Sequence, residues 1–224
     1  MDDNIINRLK NSMDTPNKII SRKKYFNAAV LVPIINIDNT YHFVFEKRAK
    51  NITQGSEISF PGGGYEEKDK SFLETAIRET EEELGIHRNK IKVIKNFGTY
   101  VGRQGVIVEV FIGELIIQTI QALKPQQSEV EKVFTVPVDY FIKNKPKKYP
   151  VRLEQQPYFM DEMGNKVELL PSKELGLPIK YHHPWSTKLI ELNFFKVENE
   201  MIWGLTAEIL CEIIEPLNNE SHKE

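Results

Sequence analysis

The chain has 224 residues, 40% of them apolar and 28% charged, with a formal net charge of −2. That length bounds the fold at one domain with a sizeable core, and the composition is that of an ordinary globular protein. A near-neutral balance excludes a nucleic-acid binder working through bulk positive charge, and no apolar run approaches the roughly 18 residues of a membrane helix.

The start, MDDNIINRLK, is acidic at once and lacks a signal-peptide core, so the expected compartment is the cytoplasm. Residues 5–13 read as a short leading helix. Residues 27–37 and 41–48 are β-rich runs split by Asp38-Asn39, a hairpin signal. Residues 50–64 are mostly loop and end in three glycines. Residues 71–84 are helical: Ser71 caps the start, Glu74 completes a capping box, and Gly85 ends the helix. Residues 91–101 and 106–117 form a second hairpin turning at 102–105. A short strand covers 133–136, and Pro137 starts a short helix through Phe141. The stretch at about 143–186 is rich in Pro, Lys and polar residues and reads as a surface insertion in a single domain spanning 1–224. Residues 189–197 alternate like a strand, and 203–214 form an amphipathic closing helix. Cys211, the single cysteine, excludes an internal disulfide and a cysteine metal cluster and reads as a core thiol. Hairpin-paired strands interspersed with helices imply a mixed β-sheet with helices packed on it, an α+β or α/β/α sandwich.

The helix at 71–84 breaks local rules. With Glu79 at zero, Glu82 falls near about −60° and Glu83 near about +40°, at about 100° per residue. Leu73, Ala76, Ile77, Thr80 and Leu84 make the buried stripe, and Glu83 stands at its edge. Like charges at i, i+4 destabilise a helix, and its C-terminal end disfavours anions. Such violations mark function. Clustered carboxylates are hard oxygen ligands suited to Mg²⁺, Mn²⁺ or Ca²⁺, and Mg²⁺ commonly bridges to phosphate oxygens.

Residues 63–86 resemble the Nudix box, whose core is Arg-Glu-apolar-x-Glu-Glu-x-Gly-apolar. Here that core is Arg78-Glu79-Thr80-Glu81-Glu82-Glu83-Leu84-Gly85-Ile86. The box's earlier acid, eight residues before the arginine, is replaced by Lys70 with Asp69 beside it, as if the loop had gained one residue. The resemblance implies a mixed sheet between helices and hydrolysis of a nucleoside diphosphate linked to another moiety. It implies Glu79 and Glu83 as direct ligands of Mg²⁺ or Mn²⁺, and Glu82 as a ligand of a second metal or one acting through water. Arg78 would hold Glu79, and the backbone at Gly62 to Gly64 would lend a carbonyl to the metal.

Residues 48–63, RAKNITQGSEISFPGG, are similar to the segment that marks coenzyme A diphosphatases within the family, with Gln54 in place of a histidine and Ser56 in place of a glycine. Arg48, Glu57, Phe60, Gly62 and Gly63 are the substrate contacts this similarity implies. EVEKVFTVP at 129–137 and IWGLTA at 202–207 resemble two further stretches of that subgroup, with Phe134, Val136, Trp203 and Leu205 read as core. Lys145, Lys147, Lys148, Arg152, His182, His183 and Trp185 either form a solvated basic loop or meet an adenine ring and a 3′-phosphate. Candidates for the catalytic base are Glu79, Glu129 and Glu57. The expected reaction is cleavage of CoA or acyl-CoA to 3′,5′-ADP and 4′-phosphopantetheine. The alternatives are the same chemistry on ADP-ribose, NADH or a nucleoside triphosphate, a silent nucleotide-binding module, or a purely structural acidic helix. The expected partner is a small nucleotide, with no nucleic acid or membrane; the reading allows a homodimer.

Overall fold

In the computed structural model, which describes residues 19–103, 105–186 and 189–220, the apolar run of the first hairpin forms a long strand, β1 (Phe26–Ile37). Ala28 through Val32 are buried, which explains an apolar run without alternation: both faces of this strand are covered. The leading helix expected at 5–13 lies outside the described residues. Where the sequence suggests one domain with an insertion, the chain divides into two compact units: residues 1–56 with 60–135, and residues 57–59 with 136–224.

In the first unit, β2 (Thr40–Arg48) returns antiparallel to β1, with Ile37 opposite Thr40. Asp38 and Asn39 both have positive φ, at 48° and 62°, as a two-residue turn with the hand of the strands requires. After β3 (Ile58–Ser59), which counts with the second unit, the three glycines form β4 (Gly62–Gly64), antiparallel to β1 with Ala29 opposite Gly63. Helix α1 (Phe72–Leu84) follows. Its N-cap is Ser71, whose hydroxyl accepts the Glu74 amide at 3.2 Å. The other half of the expected capping box is diverted, because the Glu74 carboxylate pairs with Arg88 at 2.6 Å. Gly85 ends the helix at φ 60°, where a Cβ would stand 1.9 Å from the Lys124 carbonyl oxygen. Only glycine fits there.

The second hairpin is β5 (Ile91–Gly102) and β6 (Val106–Leu115), with β6 parallel to β1. β7 (Val130–Pro137) pairs with β2, and the parallel β1–β6 pair among antiparallel neighbours makes the sheet mixed, as expected. One face packs Ala29, Leu31, Val44 and Phe111 against Ala76 and Leu84 of α1. On β2, Phe43 and Phe45 alternate with Val44 and join Phe60 in an aromatic cluster, in which Phe60 stacks on Phe45 at 5.0 Å.

The second unit holds α2 (Val138–Lys143), begun after Pro137 as its fixed φ favours, and β8 (Lys147–Arg152). A small hairpin, β9 (Tyr158–Met160) and β10 (Lys166–Glu168), turns on Asp161, whose carboxylate accepts the Met163 and Asn165 amides. β11 (Leu189–Val197) pairs with both β8 and β12 (Glu200–Trp203). The segment read as an insertion therefore contributes an edge strand of a three-stranded sheet. Helix α3 (Gly204–Glu220) packs Ile209, Leu210 and Ile213 into a core with Phe195 and Ile202. Val136 is buried as expected. Trp203 is not: it is 39% exposed and stacks flat on Phe194.

Candidate active site

α1 packs on β1 and β4, and the absence of side chains on β4 is what lets its acids approach the backbone. The Gly62 amide donates to Glu83 Oε2 at 2.8 Å. A Cβ on Gly63 would lie 2.5 Å from Glu79 Cδ, so that carboxylate occupies the space a side chain would fill. The sequence pairing of a glycine run with a glutamate-rich helix thus becomes one surface.

Arg78 organises the rim of this surface. Its Nη1 donates to Glu79 Oε1 at 2.7 Å and to Glu82 Oε2 at 3.2 Å. Its Nε and Nη2 donate to the two oxygens of Asp69, each at 3.0 Å, and Nη2 also reaches the Gly64 carbonyl at 3.3 Å. Asp69 is buried, and its Oδ2 accepts from Thr75 Oγ1 at 2.8 Å and the Glu66 amide at 3.1 Å. The guanidinium of Arg78 holds the Asp69 carboxyl well below the usual carboxylate range, and Asp69 in turn raises Arg78. The sequence reading assigned no role to Asp69. The one-residue lengthening of the loop places it, not Lys70, against the arginine.

Glu83 is 3% exposed. Burial, together with the charges of Glu46 and Glu79, pushes its carboxyl up to about 9, against the pull of the Gly62 amide and Arg48. Burial also raises Glu79, opposed by the hydrogen bond from Arg78. Glu46, on β2, is fully buried and went unnoticed in the sequence. The signal was there: in the run Phe43 to Glu46, period-two alternation puts the glutamate where Val44's face demands an apolar residue. Arg48 Nη1 lies 3.6 Å from Glu83 Oε1 and 3.7 Å from Glu46 Oε1, so the structure brings this expected substrate contact to the acidic helix.

Glu129 is half-buried; its carbonyl accepts the Ala49 amide at 2.7 Å, and its charge is close enough to raise Glu79. Glu82 is half-exposed on the outer side of Arg78. Phe60 does not face a substrate: it is 3% exposed within the aromatic cluster. Glu57 is half-buried just before β3, in the second unit. There too, Lys148 pairs with Glu191, Arg152 with Glu154, His182 Nε2 with the Leu177 carbonyl, and Trp185 meets Tyr181 edge-on, while Lys145 and Lys147 are exposed.

Among the described residues no three His, Cys, Asp or Glu side chains form a ready-made metal cluster. The donor chemistry nonetheless fits a hard divalent cation. Glu79 and Glu83 are desolvated carboxylates beside further acids, which resist ionising together until positive charge arrives. No helix among the described residues is long and apolar enough to cross a membrane.

Comparison with known proteins identifies the family. The NUDIX domain model matches residues 25–156. The chain is 31% identical over 134 residues to the mouse peroxisomal coenzyme A diphosphatase NUDT7, covering 59% of this chain and 55% of that protein. It is 31% identical over 133 residues to the Nudix hydrolase NudL of Photorhabdus laumondii, covering 59% and 70%. It is 29% identical over 131 residues to the human mitochondrial coenzyme A diphosphatase NUDT8, covering 57% and 55%. The chain thus spans about half the length of the two named diphosphatases. A solved MutT/nudix family protein from Enterococcus faecalis overlays with a TM-score of 0.48 at 12% identity, covering 98% of this chain and 70% of that one. With more than half of the chain matched by the family model and its acidic helix folded against the glycine strand, this protein belongs to the Nudix hydrolase family.

Proposed function

We propose that this Nudix hydrolase cleaves the diphosphate of coenzyme A or an acyl-CoA, releasing 3′,5′-ADP and the (acyl-)4′-phosphopantetheine. The observation that carries the reading is the convergence of Glu79 and Glu83 on the Gly62–Gly63 backbone, flanked by two guanidinium groups. Diphosphate hydrolysis needs positive charge at both phosphoryl groups and a water aimed in line. Glu79 and Glu83, with Glu82 at the rim, would hold Mg²⁺ or Mn²⁺, which supplies Lewis-acid polarisation and a more acidic water when bound. Arg78 keeps Glu79 turned toward β4, and Asp69 keeps Arg78 in place. Arg48 is the cation best placed to meet phosphoryl oxygens, since its side chain is only partly buried beside Glu83. Glu129 is the base we favour for the water proton, being near Glu79 and outside its hydrogen-bond network. The water oxygen bonds to phosphorus, the bridging P–O bond breaks, and each product leaves with a phosphate.

The CoA assignment draws support from the FPGG segment, the EVEKVF and IWGLTA stretches, and the names of two relatives. The test is incubation with CoA, acyl-CoAs, ADP-ribose, NADH and nucleoside triphosphates, with Mg²⁺ or Mn²⁺, followed by chromatography. CoA consumption with equimolar 3′,5′-ADP is the expected result. Turnover of ADP-ribose or NADH with CoA intact would move the chain to another substrate class, and no turnover of any would make it a binding module.

A further inference from the structure

We propose that Glu46 is a positioning residue for this reaction: it offers Arg48 a second carboxylate, so that Glu83 can turn to a divalent cation while the guanidinium stays paired. The proposal rests on the hydrolase reading above and concerns Glu46, which that reading leaves without a role.

Glu46 and Arg48 are two apart on β2, so both project from the same face of the strand. Glu46 is 0% exposed, a costly place for a charge unless a cation stands by it. Arg48 is that cation, and it is shared: Nη1 is 3.7 Å from Glu46 Oε1 and 3.6 Å from Glu83 Oε1. Neither separation is a tight hydrogen bond, so neither carboxylate locks the group. Its stem is tethered elsewhere, through Nε to the Thr53 carbonyl at 3.3 Å.

The two oxygens of Glu83 are used differently. Oε2 accepts the Gly62 amide, whereas Oε1 faces Arg48. A cation taking Oε1 therefore competes with Arg48. Breaking a buried pair by withdrawing one partner is costly because the other charge is stranded. With Glu46 in place the guanidinium has another carboxylate at nearly the same distance and is not stranded. With Glu46 neutral, a metal must displace Arg48 outright. Beyond the direct repulsion between the two carboxylates, Glu46 thus acts on Glu83 through Arg48, not as a ligand.

The experiment is a double-mutant cycle read without substrate. Mn²⁺ is titrated into the wild-type chain, Glu46→Gln, Arg48→Gln and the double variant at one fixed pH, with binding followed by melting temperature and by calorimetry. Glu46→Gln should raise the Mn²⁺ concentration for half-maximal stabilisation by about threefold or more, a coupling of the size seen between groups in contact. In the Arg48→Gln background the same change should raise it no further. Arg48→Gln alone should lower the midpoint, since it removes the competitor for Oε1. An unchanged midpoint in Glu46→Gln, an equal rise in both backgrounds, or a higher midpoint in Arg48→Gln would each overturn the proposal. Should Glu46→Gln fail to fold, Glu46→Met, similar in volume and without charge, carries the same expectation. A wild-type chain that neither gains stability from Mn²⁺ nor cleaves a diphosphate sinks the hydrolase reading, and the proposal with it. A wild-type chain that does both while the cycle shows no coupling sinks this proposal alone.

Discussion

Asp69→Asn isolates the contribution of a residue hidden by a one-residue shift. Asp69 Oδ2 accepts three donors, from Glu66, Thr75 and Arg78, and Oδ1 accepts Arg78 Nε. An asparagine oxygen placed at the Oδ2 position keeps its three bonds, but its NH₂ then confronts Arg78 Nε–H, donor against donor. Breaking a buried pair typically costs about 3–5 kcal/mol, because the surviving charge is stranded. Arg78 retains Glu79, Glu82 and the Gly64 carbonyl, so we expect a loss near the lower end, about 3 kcal/mol. For a chain of this size that is a fall in Tm of roughly 6–12 °C. The pH dependence has a definite sign. A carboxyl held below its unfolded value of about 3.8 stabilises the fold at pH values above that value, and the contribution is lost as pH falls through the folded value. Urea unfolding followed by circular dichroism should therefore show wild type well above Asp69→Asn at neutral pH, with the gap closing below about pH 4. A gap under about 1 kcal/mol at neutral pH, or one that stays constant down to pH 3, would refute the ion-pair account.

Four further outcomes follow from the structure. Glu83→Gln should lower kcat by roughly two to three orders of magnitude and abolish the Mn²⁺-dependent rise in Tm. Because the folded Glu83 carboxyl is pushed up to about 9, its contribution is full below the unfolded pKa and is lost as pH rises toward 9. The metal-chelated wild type should thus weaken between about pH 5 and 9, by at most about 1.4 kcal/mol per unit, and Glu83→Gln should flatten that slope in thermal melts. Gly63→Ala puts a methyl 2.5 Å from Glu79 Cδ, so kcat should fall about tenfold or more through a displaced carboxylate, measured at saturation with whichever diphosphate substrate and divalent cation the wild type turns over; unchanged kcat would show that Glu79 works from another rotamer. Ser56 has φ 66°, in the left-handed region where glycine is at ease. Ser56→Gly should raise Tm slightly, by a gain of up to about 1 kcal/mol, and a loss would show that the serine side chain anchors the loop.

What was legible in the sequence was what is contiguous. The cap at Ser71, the stop at Gly85, the turn at Asp38-Asn39 and the acids of α1 are set by neighbours within a few residues. Helical geometry then fixes which acids share a face. The residues that went unseen are placed by the fold of the chain around them, not by helix or strand periodicity. Asp69 is a site residue only because Arg78, nine positions away, folds back over it. Glu46 matters only because α1 carries Glu83 to the end of β2. The opposite error has the same root. Phe60 stands in a functional segment, FPGG, yet the strand beside it supplies Phe43 and Phe45, and three rings bury one another more favourably than one ring at a polar rim. Trp203 errs the other way, since apolar character predicts burial only where an opposing layer exists, and its strand presents it beside Phe194 on the sheet's outer face. A motif therefore names the side chains that can do the chemistry, while the long-range pairs decide which are free to do it. Glu83 is the residue where the two meet: the box resemblance implies it as a metal ligand, and Arg48, outside the box, lies 3.6 Å from it and 3.7 Å from Glu46, the pairing on which our proposal for its release rests.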